Sequence, residues 1–183
     1  MQRKWIAFFT MSGSEIYNVS RRLRRTPDLV VTNRQTLEGV NEKLLEKLSS
    51  GQLLILPNKP NTEEYFTAIA ECGSSDVLIT LHGYLRIVPS VVCDTFEIIN
   101  CHPGLITLYP ELKGKDPQAR STNHPTIGTV LHRVTAGVDE GPILSNASCD
   151  NVYFTEAAVT HKLKQLSENL WIEMLRKQLK ISA

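Results

Sequence analysis

The sequence predicts an α/β fold: a mostly parallel, twisted sheet flanked by helices. Three observations carry this expectation. Short apolar runs alternate with helix-like segments along most of the chain. The runs are apolar throughout rather than alternating, so both faces of the sheet are expected to be covered. The chain has 183 residues, 42% of them hydrophobic, which is enough for one core and predicts one domain over residues 1–183.

Each element follows in order. Trp5 to Thr10 is the first strand. Arg3 and Lys4 precede it, but the run from Trp5 to Phe9 is too short for a signal segment or a membrane span. Met11-Ser12-Gly13-Ser14 is a turn, and Glu15 to Arg25 a helix that Pro27 breaks. Leu29 to Thr32 is the second strand. Leu37 to Leu48 is the second helix, closed by Ser49-Ser50-Gly51, and Leu53 to Leu56 is the third strand. Thr62, Glu63 and Glu64 open a third helix that runs to about Glu71. Val77 to Leu81 and Phe96 to Cys101 are the fourth and fifth strands. The pattern changes beyond Pro103. Gly128 to Val134 and Ile143 to Ser148 are two further strands joined through a turn at Asp139. Thr155 caps a long last helix to about Leu179, striped by Ala158, Leu163, Leu166, Leu170, Ile172, Met174 and Leu175.

Charge and cysteine usage exclude several classes. The net charge is +1, so no long-range field draws the chain to nucleic acid or to a membrane. Arg21, Arg22, Arg24 and Arg25 are the dense basic cluster. They fall where the first helix ends, a favourable place for cations, and read as a solvated helix end rather than a phosphate or RNA contact. Cys72, Cys93, Cys101 and Cys149 form no Cys-x-x-Cys and suit neither zinc nor a disulfide framework. Reduced thiols in a cytoplasmic protein are the simplest account.

The chemistry concentrates at Asn100 and His102. Two apart on a strand, they point to one face, and Pro103 ends the strand just beyond them. Asp139 arrives later in a Gly/Pro-rich turn, Gly137-Val138-Asp139-Glu140-Gly141-Pro142. An isolated Asn-x-His is ordinarily a turn-bonding Asn beside a surface His. The Pro103-Gly104 sequel and the Asp139 turn change that balance. An amide donor, a titratable imidazole and a carboxylate are the parts needed to move an acyl group onto a nucleophile, which points to an enzyme. Cys101 points to the opposite face and reads as a core thiol, because no basic partner shares its face.

Other segments leave two readings open. Ser12-Gly13-Ser14 either offers backbone N–H groups to a phosphate or is a bare strand-to-helix turn, and Glu15 beside it would repel a phosphate. Gly83 to Pro89 is a strand-to-helix loop, or an edge with Leu85, Ile87 and Val88 that holds a flat heteroaromatic ring. His132 is more often structural than catalytic in such a place. His82, His124 and His161 carry no surrounding motif. Tyr109 to Gln118 is a polar, Pro-rich loop whose lysines are either solvated or meet a phosphorylated acceptor.

At Gly83 to Pro89, Asn100 to Gly104 and Gly128 to Pro142 the chain resembles the folate-dependent formyltransferase family, most closely its branch acting on glycinamide ribonucleotide. The likeness runs over nearly the whole chain. It implies a Rossmann-like formyltransferase fold, 10-formyltetrahydrofolate as cosubstrate, a small-molecule amine as acceptor, and no metal. It implies catalytic roles for Asn100, His102 and Asp139, and a structural role for His132. It implies folate contacts at Leu85, Arg86, Ile87 and Val88 and at Val134, Gly137 and Val138. Ser12, Gly13, Ser14, Glu15, Pro103 and Gly104 fall where the acceptor is held. The resemblance breaks at the first turn, where Met11 and Glu15 stand in place of a Gly and of an Asn that helps hold the acceptor's phosphate. A phosphate-gripping Arg expected near Thr62 is also missing.

In the reaction this implies, Asn100 and protonated His102 stabilise the developing oxyanion. Asp139 keeps His102 charged and helps remove the amine's proton. Two other readings stand beside it: a hydrolase that passes the formyl group to water, and a non-catalytic folate- or nucleotide-binding protein. The family's tRNA enzyme and its hydrolases are expected to carry an additional domain. No nucleic-acid or membrane partner is expected, and the chain is expected to be a monomer or a homodimer.

Overall fold

The computed structural model describes residues 3–152 and 155–181. Seven strands form one sheet in the order β3-β2-β1-β4-β5-β6-β7. They are β1 (Lys4–Phe9), β2 (Leu29–Thr32), β3 (Leu53–Ile55), β4 (Val77–Leu81), β5 (Glu97–His102), β6 (Thr126–Arg133) and β7 (Ile143–Asp150). The first five pair in parallel, and β6 and β7 run antiparallel to their neighbours. The helices are α1 (Ser14–Leu23), α2 (Glu42–Lys47), α3 (Thr62–Ala70), α4 (Ser90–Thr95), α5 (Pro117–Ser121) and α6 (Glu156–Gln178).

Burial on both faces explains the apolar strands. In β1, Trp5, Ala7 and Phe9 enter one core with α1, α2 and α6. Ile6 and Phe8, pointing the other way, enter a second core with Tyr65, Ala68 and Ile69 of α3 and with Val92 and Cys93 of α4. This is the period-2 alternation of a strand between two covered faces. Ile99 and Cys101 pack with the first core and Ile98 with the second, so Asn100 shares the side of Ile98.

Local chemistry sets the helix boundaries. The Asn61 side chain accepts from the Glu64 amide while the Glu64 carboxylate takes the Asn61 N–H, a capping box that starts α3. Asn41 caps α2 at the Leu44 amide, so this helix is shorter than the Leu37-to-Leu48 expectation. Thr155 caps α6 through the Ala158 amide, as expected. The buried side of α6 is set by Val159, Leu163, Ser167, Leu170 and Trp171, so Ala158 stands off the stripe. Pro89 opens α4, the helix that a strand-to-helix loop over Gly83 to Pro89 leads into, and Pro117 begins the unexpected α5.

The order reverses between β1 and β4. In an open α/β sheet the crevice at such a point, outside the carboxyl ends of the strands, is where ligands bind. The Met11–Ser14 turn follows β1 and the loop from His82 follows β4. β5 lies next to β4, with Leu81 opposite Asn100.

Candidate active site

Asn100 and His102 stand at the carboxyl end of β5, and β5 extends through His102 rather than stopping at Cys101. The antiparallel pairing places His132 of β6 opposite Asn100. After β6 the chain turns through Gly137 to Pro142 and returns as β7. That turn carries Asp139 back over the end of β5. Asp139 holds φ at 53°, a left-handed conformation that few non-glycine residues adopt. Its contacts hold it there.

The three predicted residues converge. Asp139 Oδ2 lies 3.2 Å from His102 Nδ1, and Oδ1 lies 3.4 Å from His132 Nε2. The Gly114 amide donates to Oδ2 at 3.0 Å. Burial alone would raise the Asp139 carboxyl. The bonds to His102 and His132, the charge on His102 and the Gly114 amide outweigh it and hold the carboxyl well below the usual carboxylate range. His102 Nε2 faces the Leu112 carbonyl at 2.8 Å. Both ring nitrogens thus face oxygen acceptors, an arrangement that the doubly protonated imidazolium satisfies with two donors.

The Asn100 amide nitrogen is 3.2 Å from His132 Nε2, and His132 Nδ1 lies 3.0 Å from the Arg133 carbonyl. Unprotonated, Nε2 takes the Asn100 N–H; protonated, it gives to Asp139. His132 therefore orients either the amide or the carboxylate, which is more than a remote structural part.

A pocket opens beside these groups. Asn100, His132 and Asp139 line it together with Tyr84, Arg86, Ile87, Val88, Val134, Gly137 and Val138. Every pocket residue predicted for folate is there except Leu85, which is 61% exposed on the adjoining rim. Ile87 and Val138 are also exposed apolar groups, suited to cover a flat ring. Arg86 is tied to Asn58 through its carbonyl and side-chain oxygens. Tyr84 went unpredicted: an isolated aromatic between Gly83 and Leu85 looks like loop, whereas its hydroxyl pairs with Tyr65 at 2.8 Å and fixes the pocket wall.

A second cleft lies on the α1–α6 side. Ser12, Gly13, Ser14, Glu15 and Pro103 line it, as does Cys101, which also packs on the first core as expected. Gly104 is packed instead against His102 and Pro117, where a Cβ would lie 3.0 Å from each. Burial first, and then the Glu15 charge, push the Cys101 thiol up to about 12. Glu15 accepts from His82 Nδ1 at 2.8 Å, from Trp171 Nε1 at 3.1 Å and from the Ser167 hydroxyl at 2.5 Å. His82 is fully buried there, although its sequence context shows no motif. Glu15's other partners, Ser167 and Trp171, sit on α6, far away in sequence, so no local signal could have found this cluster.

Residues 6–175 match the formyl transferase family. The chain belongs to that family. It is 29% identical over 186 residues to phosphoribosylglycinamide formyltransferase of Bacillus subtilis, covering 97% of this chain and 94% of that one. It is 24% identical to methionyl-tRNA formyltransferase of Campylobacter hominis over 82% of this chain, which spans about half of that relative (49%). The fold superposes on glycinamide ribonucleotide transformylase 1 of Geobacillus kaustophilus with a TM-score of 0.78 at 20% identity, covering 98% of this chain and 100% of that one. No group of His, Cys, Asp and Glu among the described residues is arranged to hold a metal ion. No helix among them is long and apolar enough to cross a membrane.

Proposed function

We propose that this formyltransferase moves the formyl group of 10-formyltetrahydrofolate onto the primary amine of a small acceptor. The observation that carries the reading is Asp139 joining His102 beside a pocket that Asn100 and Asp139 both line. Exposed apolar groups at Ile87 and Val138 in that lining, with Leu85 exposed next to it, suit the pocket to a folate ring.

Each residue has a role at a stated atom. The Asn100 side-chain N–H and the His102 imidazolium donate to the oxygen on which charge develops as the amine attacks. For His102 this means exchanging its bond to the Leu112 carbonyl for one to substrate. Removing one such donor costs about 3 kcal/mol of barrier. Asp139 faces His102 Nδ1 and takes the amine's proton, directly or through water; a proton passes to N10 of the folate as the C–N10 bond breaks and tetrahydrofolate leaves. Through its one Nε2, His132 positions Asn100 when that nitrogen accepts and Asp139 when it donates.

The name of the Bacillus subtilis relative makes glycinamide ribonucleotide the first acceptor to try. The test is release of tetrahydrofolate from 10-formyltetrahydrofolate, followed by absorbance, with and without a panel of amines that includes it. Release that depends on one amine supports the transferase and names its acceptor. Release with water alone replaces the reading with a hydrolase. Folate binding without any release replaces it with a binding protein.

A further inference from the structure

The cleft on the α1–α6 side has a charge pattern that formyl transfer itself does not require. Its charged and titratable lining is Glu15 and Glu168 against Lys164 and the buried His82, whose Nδ1 lies 2.8 Å from Glu15. Lys164 is exposed at the rim. Arg22 stands 3.9 Å from Glu168.

An anion would ordinarily be drawn to the start of α1, where backbone N–H groups lack helical partners. Here a carboxylate already occupies that first turn. Glu15 cannot swing aside without losing its bonds to His82, Ser167 and Trp171 together. The turn's hydroxyls are also spoken for. Ser12 Oγ and Ser14 Oγ pair at 2.9 Å, and Ser12 Oγ accepts from the Ser14 amide at 3.3 Å. Ser14 Oγ accepts from Asn41 Nδ2 at 3.2 Å, while Asn41 Oδ1 caps α2. A phosphate placed on this turn would meet the Glu15 carboxylate at close range, beside hydroxyls already bonded to one another. An ammonium or a hydroxyl would meet carboxylate oxygens it can donate to.

We propose that Glu15 sets the acceptor class: the cleft takes a primary amine that carries no phosphate, neutral or cationic, and discriminates against phosphate monoesters. This rests on the reading that the cleft receives the acceptor. Its test needs no turnover, so it can fail while formyl transfer stands, and the reverse.

The experiment titrates ¹⁵N-labelled protein with glycinamide ribonucleotide and with glycinamide riboside, its dephosphorylated counterpart, following the Gly13, Ser14 and Glu15 amides. The wild type should bind the ribonucleotide no more tightly than the riboside; tighter binding of the ribonucleotide overturns the proposal. Glu15→Gln, with its fold checked in the same spectra, should strengthen ribonucleotide binding by about tenfold, because it removes a full charge at close range. Glu15→Gln with no gain overturns the proposal, even if the wild type binds neither molecule. Should that variant fail to fold, Glu168→Gln removes the other carboxylate, which is held by Asn18 and Arg22. It should give a smaller gain in the same direction, and no gain again overturns the proposal.

Discussion

At the residue scale, Asp139 joins stability to activity. It bridges two imidazoles, takes the Gly114 amide and sits in a left-handed conformation. Asp139→Asn keeps the shape and removes the charge. Turnover should fall by about a hundredfold or more, with an unchanged far-UV spectrum; near wild-type kcat would remove Asp139 from the chemistry. The same variant predicts a pH effect. The folded-state carboxyl lies below its ordinary 3.8, so its stabilisation is complete above that value and is lost as pH falls through the folded one. Urea denaturation should show a gap between wild type and variant that narrows as pH falls below about 4. Cys101 gives the opposite sign. Raised to about 12, its thiol stays protonated at neutral pH. Brief iodoacetamide treatment at pH 8 should leave it unmodified in the folded protein and label it in urea, as peptide mass mapping would show; rapid labelling of the folded chain would mean a thiolate in the cleft.

At the scale of elements, the β6–β7 hairpin is the part that delivers Asp139. Gly141 lies against the Arg133 carbonyl, and a Cβ there would collide with that oxygen. The Arg133 amide takes the Pro142 carbonyl at 2.9 Å, so backbone closes the turn on that side too. Gly141→Ala should therefore shift the turn, lowering both thermal stability and kcat, whereas a pure stability loss with kcat intact would show that Asp139 keeps its place. The capping box of α3 is remote from the chemistry. Asn61→Ala should cost about 1 kcal/mol in denaturant unfolding and leave kcat unchanged. These elements were unevenly legible. Asn100 and His102 were readable because period-2 spacing and Pro103 fix their face and strand end. The Asp139 turn was readable from its Gly and Pro residues. Short α5 was not, because it is about a turn of helix with no apolar period to detect. The Glu15–His82–Ser167–Trp171 cluster joins three elements distant in sequence, and none of its members carries a local signal.

At the scale of the molecule, one sheet serves two cores, and this predicts how the protein unfolds. β1 sends Trp5, Ala7 and Phe9 into the α1–α2–α6 core and Ile6 and Phe8 into the core under α3 and α4. β4 and β5 divide their residues in the same way, with Leu78 and Ile99 on one side and Ile79 and Ile98 on the other. Losing either helical layer strips one face from the same central strands. The other layer then has no rigid surface to pack on, so neither core is stable alone. Both tryptophans, Trp5 and Trp171, lie in the first core, on which Tyr17 also packs, and the buried tyrosines, Tyr65 and Tyr84, lie in the second, where their hydroxyls pair. Urea unfolding followed by tryptophan fluorescence should therefore coincide with unfolding followed by near-UV tyrosine signals and by far-UV circular dichroism. A fluorescence transition separated from the tyrosine one would mean that the layers fold as independent units. The expectation of one domain over residues 1–183 would then give way to two, with the Asn100–His102 end of β5 at their boundary.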